Sequence, residues 1–185
     1  MTNPHAPSYL QSDSTHEAAH KPKPQGSWPP RTAPADSPSR PLPSAARDFL
    51  EAHNKARAEV GVQPLNWSPQ LAIATSGIVR YQRINNACQF ANLTAGKYGA
   101  NQLLARGGPV TPHVAVEDWV KQKQFYNHTD NSCLPNHRCG VYTQVVWKNS
   151  TSLGCAQATC VKEKTSLTIC FYDPPGNYVG ESPYP

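Results

Sequence analysis

His53 is the residue whose type and position first suggest chemistry. It lies four residues after Phe49 and four before Arg57 in the segment SAARDFLEAHNKARAEV (44–60). An imidazole can bind a metal or transfer a proton, and both tasks need histidine or carboxylate partners. The segment CGVYTQVVWKNS (139–150) has the form of half a site, but Val141 stands where a partner histidine would be chemically useful. The pattern leaves open whether the two segments serve a reactive site or only a scaffold.

Other common catalytic patterns are missing from the sequence. No GxSxG motif stands at a strand–helix elbow, and the six cysteines are better explained as disulfides than as a nucleophile. The stretch GKYGANQ (96–102) has two glycines without the spacing of a phosphate-binding loop. The sequence therefore gives no reason to assign an enzymatic activity.

Six cysteines lie between residues 88 and 170, and none precedes them. They contain no CxxC pair, which favours three disulfides over a zinc site, and six cysteines allow fifteen pairings. Disulfides together with N-x-S/T sequons indicate an oxidising secretory route and an extracellular protein. The first of the four sequons is weakened by the proline that follows it, and the four acceptor residues are Asn66, Asn92, Asn127 and Asn149.

The N-terminal region differs in composition from the rest of the chain. MTNPHAPSYL has no apolar signal-peptide core, so we expect a mature form with an added Met1. Ten of the nineteen prolines fall within residues 1–43, which contain almost no large aliphatic residues. This composition predicts a disordered Pro-rich segment, 1–43, before a compact domain, 44–185. No stretch is long and apolar enough to span a membrane.

The charge of the chain is mildly positive, and its distribution argues against nucleic acid as a partner. Seventeen Lys and Arg residues against twelve Asp and Glu give a formal charge of +5. The chain has no long basic run, which argues against nucleic-acid binding. A mildly basic surface gives a weak preference for anionic surfaces such as cell-wall polymers or lipid headgroups.

Capping signals predict three helices in the first half of the domain. Ser44 is a plausible N-cap for a helix over about 45–60. The pairs Ser68-Pro69 and Thr111-Pro112 open helices that extend to about 85 and 126. On the third helix Gln122 falls on the inward side. A glycine-containing loop (96–108) separates the second and third helices, and strands are predicted near 141–147, 153–160 and 167–173. Because helices fill the first half of the domain and strands the second, we predict an α+β layered domain.

Several ordered motifs resemble a known family. AHNKAR (52–57), YGANQL (98–103), WVKQKQFY (119–126), CGVYTQVVWKNS (139–150) and CFYDPPGNY (170–178) are similar to successive signatures of the CAP superfamily. The resemblance is to its plant pathogenesis-related protein 1 (PR-1) branch, closest to pistil-type PR-1-like proteins, and covers 44–185. It implies an α-β-α sandwich and a role in plant defence or reproductive tissue. It also implies the disulfides Cys88–Cys160 and Cys155–Cys170, while the short spacing of Cys133 and Cys139 suggests a third.

The resemblance also implies a cleft with two histidines and two carboxylates, which in several relatives bind a divalent metal. The matching positions in this chain are His53, Ala100, Gln122 and Val141. One imidazole and one amide are too few ligands to offset the dehydration of a divalent cation. No carboxylate remains to orient His53 for acid–base catalysis. We therefore expect a degenerate cleft with no metal, no cofactor and no enzymatic activity.

Two functions fit these observations. The first is binding of a sterol or other lipid, which the resemblance places at an aromatic-lined loop, 127–136, with Trp119, Phe125 and Tyr126 as candidates. The alternative for Trp119 and one of the other two is an ordinary core position. We expect a monomer, with a cell-wall component or a receptor as a further partner.

The second function is that of a peptide precursor. The C-terminal sequence resembles a PR-1 tail that is cleaved before a proline. In this chain the corresponding bond is Asp173–Pro174, and its cleavage yields PPGNYVGESPYP (174–185). The alternative is a Pro/Gly-rich arm that ends the last strand. The sequence does not decide between the two.

Overall fold

The computed structural model describes residues 41–94 and 96–185, together with the backbone of one strand, Leu10–Ser14. This strand, β1, pairs antiparallel with a later strand over Leu10↔Ala105 to Ser14↔Asn101. The sequence predicts disorder over residues 1–43. Apart from this strand and residues 41–43, that segment lies outside the described residues. Within the described part of the chain, no helix is long and apolar enough to cross a bilayer.

The helices begin close to the predicted positions. Helix α1 is Ser44–Glu59, but its N-cap is Pro43 rather than Ser44, without a side-chain cap. Helix α2 is Pro69–Asn85, and the Ser68 hydroxyl accepts a hydrogen bond from the Leu71 amide. Helix α3 is Pro112–Val120 with Thr111 as its cap, and a 3₁₀ turn, Lys121–Phe125, follows it. The third helix is therefore shorter than predicted.

Two predictions in the middle of the domain are wrong. The predicted strand near 141–147 is a six-residue helix, α4, Gly140–Val145. The predicted loop over 96–108 contains strand β3, Gly99–Arg106. Both elements are buried on almost all sides, so β3 shows no polar–apolar alternation and α4 has no polar face that marks a helical period.

The main sheet has five strands in the order β1-β3-β7-β6-β2. Strand β2 is Asn66–Trp67, β6 is Ser152–Cys160 and β7 is Thr165–Asp173. The strands predicted near 153–160 and 167–173 are confirmed. A separate ribbon of β4, Tyr126–Asn127, and β5, Ser132–Cys133, follows the 3₁₀ turn.

Helices cover both faces of the sheet. Helix α2 packs on one face in a cluster with Leu71, Leu167 and Phe171. On the other face α1, α3 and α4 form a cluster around Phe49, Trp119, Tyr142 and Tyr172. This is the expected α-β-α sandwich, in which successive residues of β7 serve opposite cores. Its three disulfides are Cys88–Cys160, Cys133–Cys139 and Cys155–Cys170.

Candidate ligand-binding site

His53 is fully buried, and both of its ring nitrogens are hydrogen-bonded. Nδ1 lies 2.7 Å from the carbonyl oxygen of Phe49, which can only accept, so Nδ1 carries the proton and donates. Nε2, 2.8 Å from the hydroxyl of Tyr172, therefore accepts from it. A neutral imidazole with both nitrogens occupied has no lone pair left for a metal.

Electrostatics keep this histidine neutral. Burial lowers the pKa of His53 to about 4, the bond to the Phe49 carbonyl raises it somewhat, and the charge of Arg57 lowers it again. Burial also raises the pKa of the Tyr172 hydroxyl well above its ordinary value. Asn101 completes the chain, because its amide nitrogen donates to the Tyr172 oxygen (3.2 Å) and to the Val141 carbonyl (2.8 Å). His53 thus ends a structural hydrogen-bond chain that links α1, β3, β7 and α4.

The structure does not assemble the four cleft positions into a metal site. Ala100 packs in the cluster on the α2 side of the sheet, whereas Val141 belongs to the cluster on the opposite side. Neither offers a ligating atom, and Gln122 offers only a neutral amide. The described residues include no group of three His, Cys, Asp or Glu side chains that could hold a metal ion. The residues present do not fit the metal that the resemblance suggests.

Arg57 is a second buried polar residue that sequence reasoning did not single out. Its guanidinium donates to four backbone carbonyls, those of Gln63, Val145, Trp147 and Ser150, at 2.7 to 3.1 Å. Three of these carbonyls lie at the end of α4 and in the turn after it. Arg57 therefore holds the segment that carries Trp147 in place. The four-residue spacing between His53 and Arg57 in the sequence does not predict this role.

A cavity of about 540 Å³ lies beside this buried core. We call it the arm cavity, because the C-terminal arm (174–185) forms one wall, while β5, the start of α4 and the residues between them form the other. It reaches two of the four cleft positions, Gln122 and Val141, and its volume is that of a typical small-molecule site. Its other aromatic and apolar lining side chains include Tyr126, Trp147, Tyr178, Val179 and Pro183.

Two residues that line the arm cavity each have a buried side-chain polar atom with no hydrogen-bond partner among the described residues. These atoms are the Gln122 side-chain oxygen, an acceptor, and the Trp147 indole nitrogen, a donor. A buried polar group without a partner costs about 1–3 kcal/mol. A hydroxyl group, which both donates and accepts, has the chemistry that the two atoms lack in a partner.

The three predicted aromatic candidates have different environments. Tyr126 lines the arm cavity, and its hydroxyl donates to the Asn131 side chain at 2.8 Å. Phe125 is half-buried and stacks on His137 at 3.8 Å between ring centroids. Trp119 has no exposed surface and belongs to the core. Burial thus removes Trp119 from the candidate ligand contacts, whereas Tyr126 is well placed.

The C-terminal arm is held to the domain by specific contacts. Gly176 donates its amide to the Gln144 side chain (3.0 Å), and Lys148 donates its amide to the Pro183 carbonyl (2.7 Å). Asn177 bonds the Thr143 hydroxyl and the Gly140 carbonyl. Tyr184 stacks on His128 with 4.3 Å between ring centroids. The arm is therefore a structural wall, and a side chain at Gly176 would collide with Trp147.

Two further grooves lie away from the arm. One, of about 590 Å³, runs between α1 and α3 over Ala52, Ala56, Val116 and Val120. The other, of about 620 Å³, lies between α2 and the first part of the loop that follows it, up to Asn92. Neither groove is lined by a buried side-chain polar atom without a partner among the described residues.

Comparison with known proteins identifies the family. The profile described as "CAP: Cysteine-rich secretory protein family" matches residues 50–172. STS14 protein of Solanum tuberosum is 61% identical over 140 residues, which cover 76% of this chain and 65% of that protein's own length. Pathogenesis-related protein 1A of Nicotiana tabacum is 43% identical over 141 residues, which cover 76% of this chain and 82% of that protein.

Solved structures agree with this assignment. Venom allergen-like protein 4 of Schistosoma mansoni has a TM-score of 0.60 at 25% identity, covering 78% of this chain and 96% of that one. NaASP2 with Zn²⁺ has a TM-score of 0.60 at 17% identity, covering 80% and 90%, and shares the fold alone. The sandwich, the three disulfides and these matches together show that the chain belongs to the CAP family, in the branch of the plant PR-1 proteins.

Proposed function

We propose that this protein is a secreted, non-enzymatic PR-1-like protein of plant defence or reproductive tissue that binds a sterol or another hydroxyl-bearing lipid in the arm cavity. The observation that carries the proposal is one cavity with aromatic and apolar walls, whose lining includes two residues, Gln122 and Trp147, that each hold a buried polar atom without a partner. A sterol has a rigid apolar body and a hydroxyl that both donates and accepts. The body would pack on Tyr126, Tyr178 and Val179.

The absence of a catalytic constellation supports the non-enzymatic part of the proposal. The only histidine of the cleft is buried, neutral and bonded at both nitrogens. Val141 and Gln122, which face the cavity, cannot exchange protons near neutral pH. The cleft positions that reach the cavity therefore offer packing and hydrogen bonds, but no general acid or base.

Binding of tritium-labelled cholesterol to the purified full chain tests this function. Tyr126→Ala removes an aromatic wall and should weaken binding at least about tenfold, or about 1.4 kcal/mol. Tyr81→Ala is the matched control, because Tyr81 is an exposed tyrosine on α2 and lines a different groove. Ala52→Phe fills the groove between α1 and α3 and should leave binding unchanged.

The outcomes separate the sites. Loss of binding in Ala52→Phe with retention in Tyr126→Ala would move the lipid to the groove between α1 and α3. Equal affinities for wild type, Tyr126→Ala and Ala52→Phe would refute a sterol site at either place. Circular dichroism and denaturant midpoints should show that all variants are folded.

The peptide-precursor role has one observation in its favour. Asp173 and Pro174 are both exposed, and because the Asp173 carbonyl accepts from the Thr151 amide (3.0 Å), cleavage requires the end of β7 to open locally. The peptide beyond that bond is the wall of the arm cavity, which makes the two functions dependent on each other. Cleavage that releases residues 174–185 should abolish lipid binding.

A chain that ends at Asp173 tests this dependence. It should keep its three disulfides and its sheet, which all precede the cut, but lose cholesterol binding. Mass spectrometry of tissue extracts should find PPGNYVGESPYP if the precursor role operates. Undiminished cholesterol binding by the shortened chain would show that the ligand lies elsewhere.

A further inference from the structure

Helix α2 presents an apolar face to solvent that the sandwich does not use. Ile73, Tyr81 and Ile84 are 73%, 59% and 63% exposed. They recur with Gly77 at spacings of four and three residues and so lie together on the side of α2 away from the buried stripe. Contiguous exposed apolar surface of this kind normally marks a covered or interacting region.

The groove beside this face is bordered by one of the four sequons. It is lined by Ile78, Tyr81 and Phe90, and by Asn92 at its edge. Asn92 is exposed, and its side-chain oxygen accepts from the amide (3.2 Å) and the hydroxyl (2.7 Å) of Thr94. Both bonds end on the oxygen and not on the amide nitrogen, which is the atom that carries an N-glycan. The neighbouring Leu93 is buried and anchors the loop.

The sequons at Asn66 and Asn149 have their hydroxyls engaged in the fold. The Ser68 hydroxyl caps α2, and the Thr151 hydroxyl donates to the Asp173 carbonyl at 3.2 Å. Asn127 is exposed like Asn92, but it lies on β4, away from the α2 groove. Asn92 is thus the open sequon that adjoins exposed apolar surface.

We propose that Asn92 is N-glycosylated and that the first sugars of its glycan lie in the groove lined by Ile78, Tyr81 and Phe90, at the edge of the exposed apolar face of α2. The donor is a lipid-linked oligosaccharide diphosphate of the secretory pathway. The Asn92 amide nitrogen bonds to the anomeric carbon, the bond from that carbon to the diphosphate oxygen breaks, and the amide proton leaves with the lipid diphosphate. The sugar shields apolar surface that would otherwise face water. This proposal rests on the secretory route but not on lipid binding.

Glycopeptide mass spectrometry of the full chain, secreted from a eukaryotic host, tests the modification. The wild type and Thr94→Ser, which keeps the sequon, should carry a glycan at Asn92, and Asn92→Gln should lose that glycopeptide completely. Binding of the dye ANS, which reports exposed apolar surface, tests the covering. ANS fluorescence should rise in Asn92→Gln and stay at the wild-type level in the matched variant Asn127→Gln.

A double variant makes the covering specific to α2. Adding Tyr81→Ser to Asn92→Gln removes the apolar side chain and should return ANS fluorescence towards the wild-type level. An unmodified Asn92 in the secreted wild type would overturn the proposal. Unchanged ANS fluorescence in Asn92→Gln would overturn the covering, and dimerisation of the wild type that Tyr81→Ser abolishes would show that a second copy covers this face.

Discussion

The buried imidazole of His53 makes the stability of the fold depend on pH in a direction that can be worked out. Its pKa is about 4 in the fold, against 6.5 for an exposed histidine. Each pKa unit corresponds to about 1.4 kcal/mol, so the difference amounts to about 3 kcal/mol. Between these two pH values the unfolded chain binds a proton at His53 that the folded chain does not. The free energy of unfolding should therefore fall as pH falls from about 6.5 to about 4, and this contribution should change no further below.

Among the described residues, no carboxylate acts on His53 to offset this loss of stability. The side chains that contact His53 are those of Tyr172 and Trp119, and Arg57, whose charge also opposes protonation, lies on the same helix. Neither contacting group can stabilise an imidazolium by charge. Protonation must break the bond from the Tyr172 hydroxyl, because Nε2 then becomes a donor.

Urea unfolding between pH 7 and pH 4 measures the effect. The wild type should lose about 3 kcal/mol more over this range than His53→Gln, which cannot titrate. His113→Gln is the matched control, because His113 lies at the start of α3 outside the buried hydrogen-bond chain, and it should keep the wild-type pH dependence. Equal pH dependence in wild type and His53→Gln, or an NMR titration of the His53 ring near pH 6.5, would refute the reasoning.

Three further predictions concern the residues around this core. Arg57→Met removes the side-chain donor from four backbone carbonyls, three of them buried, and should lower the free energy of unfolding by at least about 3 kcal/mol, and Arg57→Lys should recover little because an ammonium cannot reproduce the planar fork; a loss below about 1 kcal/mol in denaturant titrations would contradict this. Removing Cys88–Cys160, which spans 72 residues, should cost about 4 kcal/mol against about 2 for Cys133–Cys139, which spans 6, and equal losses for the two double-alanine variants would argue against a chain-entropy origin. Val141→His alone should not create a zinc site by calorimetry, because both nitrogens of His53 are bonded and Ala100 is turned to the other side of the sheet; stoichiometric zinc binding that His53→Ala removes would show otherwise.

Short sequence signals correctly predicted the elements that depend only on neighbouring residues. The Ser68-Pro69 and Thr111-Pro112 pairs marked the starts of α2 and α3, because capping chemistry involves only neighbouring residues. Strands β6 and β7 were recognised by their position and composition. The disulfide pairing followed from the resemblance, since six cysteines alone leave it open.

The misassigned and overlooked parts are those whose neighbours come from distant segments. Strand β3 and helix α4 are buried on almost every side, so their sequences show no polar face from which a period could be read. Asn101 and Tyr172 acquire roles only because the sheet brings them to His53 and Val141. The helical spacing correctly predicted that Trp119 points inward. It could not show whether Trp119 packs in the core or lines a ligand site.

The candidate site was predictable only in part for the same reason. The loop with Tyr126 was identified from its aromatic residues, and Gln122 from its spacing on the third helix. The opposite wall is the C-terminal arm, whose Pro/Gly-rich composition gave no indication that it packs against α4. Trp147 became a candidate only when its indole nitrogen was found buried without a partner.

The central claim, that the arm cavity holds a hydroxyl-bearing lipid, is tested most directly by the lipids that remain bound to the secreted full chain. Mass spectrometry of organic extracts should find a sterol or another hydroxyl-bearing lipid in the wild type, and much less in Val179→Asp, which places a charge at the rim of the cavity. Val161→Asp is the matched control, because Val161 is an exposed valine remote from the cavity lining, and it should retain the wild-type amount. A wild-type extract without such a lipid, or the same lipid content in all three proteins, would contradict the account.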